Sequence, residues 1–162
     1  MSVNTNHTGD LVKHATLIAV MLISTVAHAM PVAEMKKRAA IDQEIVATAA
    51  NIKDCGKKFT LAFDWKAFDA IDWKAAGQDK QAWYAFEQAT VAKLGEGLNA
   101  VCADKDYKAA LGKISKITYK ATNDTKIKVK VVISGSSMVI ENYSFGSTRG
   151  ADDYESAAKA AL

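Results

Sequence analysis

The sequence predicts an α+β domain in which an antiparallel meander sheet of about four strands is covered on one face by helices and tied by one disulfide. Three observations predict it. Apolar residues recur at helical spacing through the first and middle parts of the chain. A period-two alternation replaces that spacing near residue 60 and again through the C-terminal third, and the strand segments there are separated only by short polar turns. With 162 residues, 49% hydrophobic, 24% charged and one proline, the chain has the composition of a globular protein and not of a disordered or collagenous one.

The N-terminal 29 residues read as a secretory signal peptide. Lys13 and His14 precede an apolar run from Ala15 to Val26, and Ala27-His28-Ala29 follows as a small-residue cleavage pattern. The expected product is a single domain spanning 30–162, soluble in an oxidising space, periplasmic or secreted. No stretch reaches the 18 or so uninterrupted apolar residues of a membrane span, so no transmembrane segment is expected.

From Val32 to Lys53, Ile41, Ile45, Ala49 and Ile52 share one helical face, with Pro31 at a tolerated first-turn position. Lys36, Lys37 and Arg38 crowd the end where the helix dipole disfavours cations, so that end is expected to fray. After Gly56, Phe59, Leu61, Phe63 and Trp65 alternate with Thr60, Ala62 and Asp64, which makes a strand with one dry face. The echo of Asp64-Trp65-Lys66-Ala67 in Asp72-Trp73-Lys74-Ala75 is too short for a repeat architecture and reads as a short helix or an irregular connection.

Trp83, Phe86, Thr90, Leu94, Leu98 and Val101 carry a second helix from Gln78 to Cys102, weakened by Gly95 and Gly97. Asp104 can cap a third, with Tyr107, Leu111 and Ile114 inward. Beyond it, Ile117, Tyr119 and Ala121 alternate with lysines and Thr118, as Ile127, Val129 and Val131 do with Lys126, Lys128 and Lys130. A three-residue loop at Asn123-Asp124-Thr125 would pair Tyr119 with Val129 and Ile117 with Val131. A tight turn at Gly135-Ser136 would pair Ser134 with Ser137, Ile133 with Met138, Val131 with Ile140 and Lys130 with Glu141. The last strand should run to about Phe145, and Asp152 should cap a final helix with Tyr154, Ala157, Ala158 and Ala161 inward.

Function is bounded mainly by what is missing. His7, His14 and His28 are the only histidines, and all precede residue 30, so the mature chain lacks Ser-His-Asp and Cys-His catalysis and His-bearing metal sites. Cys55 and Cys102 read as one structural disulfide, because a catalytic redox pair is usually spaced C-x-x-C and two thiols without histidine make no tetrahedral zinc site. No G-x-S-x-G, phosphate-binding loop, dinucleotide glycine pattern or EF-hand loop is present. No cofactor and no metal are expected.

All three tryptophans and eight of thirteen aromatic residues fall between Phe59 and Phe86, enough to build an anchor cluster or line a pocket. Phe59, Phe63, Trp83 and Phe86 have inward spacing and read as core. Trp65, Trp73 and Tyr84, together with Arg149 in the glycine-serine loop near the C-terminus, are the candidate binding residues. Lys116, Lys120, Lys126, Lys128 and Lys130 should share the solvent face of the sheet, but a net charge of +3 and only two arginines are weak credentials for binding nucleic acid. Asp64, Asp69 and Asp72 are the nearest approach to a carboxylate pair for hydrolysis. Asn123-Asp124-Thr125 and Asn142-Tyr143-Ser144 match the N-glycosylation pattern.

The leading expectation is an exported, non-catalytic binding module acting on a protein partner as an inhibitor, immunity factor or surface adaptor. The alternative is a carrier of a small apolar ligand in a pocket between sheet and helices, and the third reading is a hydrolase using carboxylates alone.

Overall fold

The structure, a computed structural model, describes residues 30–143 and 149–162, apart from the side chain of Phe86. The proposed signal peptide, the stretch around Phe145 and the Phe86 core assignment lie outside the described residues. The described elements are α1 (Val32–Asn51), β1 (Thr60–Phe63), α2 (Trp65–Asp69), α3 (Lys80–Ala103), α4 (Lys105–Leu111), β2 (Lys116–Ala121), β3 (Val129–Ser134), β4 (Ser137–Asn142) and α5 (Ala151–Ala161). No helix among them is long and apolar enough to cross a membrane.

Local chemistry accounts for most of the boundaries. Asp64, Asp79 and Asp104 each accept a hydrogen bond from a backbone N–H of the first turn they precede, at Ala67, Gln81 and Asp106 respectively. The cap of α5 is Gly150 and not the expected Asp152. Its N–H donates to the carboxylate of Asp153, which reaches back from the first turn. Gly135 takes a φ of +57° in the β3–β4 turn, a left-handed conformation that few other residues adopt without strain.

The sheet is mixed, with strand order β1-β2-β4-β3, and so corrects the expected meander. The β3–β4 hairpin has the expected register, Ser134 opposite Ser137, Ile133 opposite Met138, Val131 opposite Ile140 and Lys130 opposite Glu141. The expected β2–β3 hairpin does not form. Instead β2 lies parallel to β4, with Ile117 opposite Met138 and Tyr119 opposite Ile140, and parallel to β1 on its other side.

The reason lies in which strand can tolerate an edge. Ile117, Tyr119, Ala121, Met138 and Ile140 are buried, whereas Val129, Val131 and Ile133 of β3 are only half-buried and alternate with exposed residues. The less buried β3 therefore sits at the edge and the drier β4 occupies the centre. Residues 122–128 carry the chain past the β4 position, with Thr122 Oγ1 accepting from Asp124 N–H and Asp124 Oδ1 from Lys126 N–H. Lys126 and Lys128 thus belong to this connection and not to the sheet.

Face polarity is as expected in spite of the different partners. Leu61, Phe63, Ile117, Tyr119, Met138 and Ile140 all point to the helical side. There α3 packs on α1 and α5, with α5 also lying on β3. Two glycines let α3 approach its neighbours: a Cβ at Gly95 would stand 2.7 Å from Thr48 Cγ2 of α1, and one at Gly97 2.5 Å from the Ala151 carbonyl oxygen at the start of α5. The features that weakened α3 in the sequence are its packing contacts. Cys55 and Cys102 are joined, with Cα atoms 4.7 Å apart, pinning the α1–β1 connection to the end of α3.

A buried polar group lies at the centre. Tyr119 and Tyr154 hydroxyls are 3.1 Å apart, and Asn142 Nδ2 donates to Tyr119 at 2.8 Å. Burial, reinforced by the charge of Glu87, keeps the Tyr119 hydroxyl protonated well above the ordinary tyrosine range. Asn142 is 1% exposed and cannot be reached as a glycosylation acceptor in the folded chain, whereas Asn123 is exposed.

Candidate functional site

The predicted aromatic residues come together, but as a packed cluster. Phe68 of α2 is its hub, with ring centroids 4.7 Å from Trp73, 4.4 Å from Trp83 and 5.5 Å from both Trp65 and Tyr84. Tyr84 is buried, and Trp65 and Trp73 are half-buried against the core. Trp65 Nε1 donates to Asp42 of α1 at 2.9 Å, so its polar edge is already used.

A charge network missed by sequence reasoning covers this cluster. Arg38, placed in an end expected to fray, is buried, with its guanidinium 4.7 Å from the Trp65 ring centroid. Its nitrogens donate to both carboxylate oxygens of Asp69, to Glu34 at 2.9 Å and to the Tyr84 hydroxyl at 3.2 Å. Tyr84 in turn donates to Glu34 at 3.0 Å, and Lys80 of α3 reaches Glu34 as well. The hydrogen bond from Lys80, helped by Arg38 and Tyr84, lowers the Glu34 pKa to about 2 against the opposing effect of burial. Burial pushes Tyr84 up to about 12. Two cations and two carboxylates balance one another here, and the network fastens α1, α2 and α3 together. The visible signal was the i,i+4 spacing of Glu34 and Arg38; their partner Asp69, 31 residues away from Arg38, was not legible.

The three candidate carboxylates have separate structural occupations. Asp64 caps α2, Asp69 pairs with Arg38, and Asp72 accepts from the Ala75 N–H at 2.9 Å. Arg149 donates to the Tyr143 carbonyl from the segment before α5. On the open sheet face Lys120 and Lys130 are partly neutralised by Glu141, whereas Lys128, in the connection before β3, pairs with Asp153 of α5. Among the described residues no group of three histidine, cysteine or carboxylate side chains is arranged to hold a metal ion.

The open concavity lies elsewhere. A groove of about 780 Å³ runs between the C-terminal half of α1 and β1, which pairs with β2 along one side only. Val46, Ala49 and Ala50 form its helical wall; Ile52, Phe59 and Leu61 form its floor and far side. Lys53, Lys57 and Lys58 stand on the connection that closes one end, with the Lys57 ammonium 5.8 Å from the Phe59 ring centroid. That connection is held by the disulfide and by Asn99 of α3, which accepts from the Lys53 N–H and donates to the Asn51 carbonyl. The sequence did carry a sign of the groove: Val46 is apolar but lies off the inward stripe of α1, and it is 67% exposed. Comparison with protein-family models, curated proteins and solved structures returns no match.

Proposed function

We propose that this protein is an exported, non-catalytic carrier of a small apolar ligand, held in the groove between α1 and β1. The observation that carries the proposal is the groove itself, an apolar concavity within the roughly 300 to 1,000 Å³ common for small-molecule sites, beside a connection braced from two directions. The disulfide supports export, in keeping with the signal-like N-terminal sequence. The structural occupations of Asp64, Asp69 and Asp72 support a non-catalytic role.

The protein-partner reading keeps one support, the exposure of Val32 and Met35 on the same helix as Val46. Titration with the neutral apolar dye Nile red tests the carrier reading. Dye fluorescence should rise with the native protein and fail to rise with Val46→Asp, whose melting temperature should be nearly unchanged because the side chain is mostly exposed. An equal rise with both proteins would place the dye elsewhere and overturn the proposal.

A further inference from the structure

Resting on the groove as the binding site, we infer that its occupant is a free single-chain amphiphilic anion: an alkyl chain lying along the apolar walls, with a carboxylate-type head at the lysine end. The argument is the separation of polarity within one concavity. Lys53, Lys57 and Lys58 all lie on the connection that joins α1 to β1, and the residues running away from it on both elements, Ala50, Ala49 and Val46 on one side and Leu61 on the other, carry no charge.

Among the described residues no carboxylate is paired with any of these three lysines. Asp54 is the one carboxylate on the same connection, so this end keeps a net positive charge that favours an anion, and the apolar walls favour a chain. Addition of a peptide strand is less well served. The edge strand β1 is only four residues long and offers few main-chain hydrogen bonds to an added strand.

The test is calorimetric titration of the disulfide-bonded protein with dodecanoate, dodecanol and dodecyltrimethylammonium, each below its micellar concentration. Dodecanoate should bind at least tenfold more tightly than dodecanol, and the cation should bind weakest. Shortening the carboxylate to decanoate and octanoate should weaken binding by up to about fourfold per methylene withdrawn from the groove. The triple variant Lys53→Gln/Lys57→Gln/Lys58→Gln should abolish the preference for dodecanoate over dodecanol; a preference that persists in full would overturn the lysine end as the site of the head.

Equal affinities for dodecanoate and dodecanol would overturn the anionic head and leave the carrier reading standing; binding of none of the three compounds would overturn both. Co-sedimentation with phosphatidylglycerol vesicles in the absence of dodecanoate binding would assign the surface to a membrane instead. A dimer in sedimentation velocity that Val46→Asp converts to monomer would assign the groove to a second copy of the chain.

Discussion

The guanidinium of Arg38 lies over the indole of Trp65, 4.7 Å from its centroid, while its nitrogens hold Asp69 and Glu34. A cation in the second turn of α1 is thereby placed between an aromatic face and two carboxylates from different parts of the chain. Replacing it with alanine leaves Glu34 buried with one fewer donor and uncovers the face of Trp65. Arg38→Ala should therefore cost about 3 kcal/mol in urea unfolding, at the lower end of the range for breaking a buried pair because Asp69 remains partly exposed.

The same network sets an acid limit. The Glu34 pKa lies near 2 in the folded chain against an ordinary 4.5, so its ionised form stabilises the fold above pH 4.5. That contribution is lost as pH falls from 4.5 towards 2. Asp69, lowered by its hydrogen bond from Arg38, acts in the same direction. Thermal melts should show a steep loss of stability across this window, and Glu34→Gln should flatten it while lowering stability at pH 7.

The two glycines of α3 should respond differently to alanine. A Cβ at Gly97 would meet the Ala151 carbonyl oxygen and the backbone nitrogen of Glu155, which cannot move without displacing α5. A Cβ at Gly95 meets the methyl of one threonine side chain. Alanine also recovers up to about 1 kcal/mol of helix propensity. Gly97→Ala should lower the melting temperature by many degrees and Gly95→Ala by few, so reversal of that order would contradict the packing described.

Trp73 distinguishes a packed aromatic cluster from a contact surface. Its ring lies 4.7 Å from Phe68 and 6.3 Å from Trp83. Trp73→Ala should cost about 3 kcal/mol of folding stability, the amount expected for truncating a packed large aromatic. An unchanged melting curve would return Trp73 to the list of binding residues.

The disulfide should matter for both stability and the groove. Closing a separation of 47 residues is worth about 4 kcal/mol in the chain-entropy model, so a Cys55→Ser/Cys102→Ser variant should melt roughly 10 °C or more below the native protein. The lysine-bearing connection is pinned through Cys55, so the variant should also bind the Nile red probe more weakly at temperatures where it is still folded.

The sequence by itself determined most of the helix and strand segments, though Trp65, expected to end a strand, opens α2. It determined as well the face of each strand, the register of the β3–β4 hairpin and the pairing of Cys55 with Cys102. These are local properties: period two or 3.6, an Asp before a first turn, a glycine in a left-handed turn, and two cysteines with no other partner. Tertiary structure alone decided that β4 and not β3 lies beside β2, since alternation fixes the face of a strand but not its neighbour. It also turned Gly95 and Gly97 into helix contacts, buried Arg38 and left Val46 at the mouth of a groove. Each depends on groups distant in the chain, Ala151 for Gly97, Asp69 for Arg38 and Leu61 for the groove, and no spacing along the sequence carries that information.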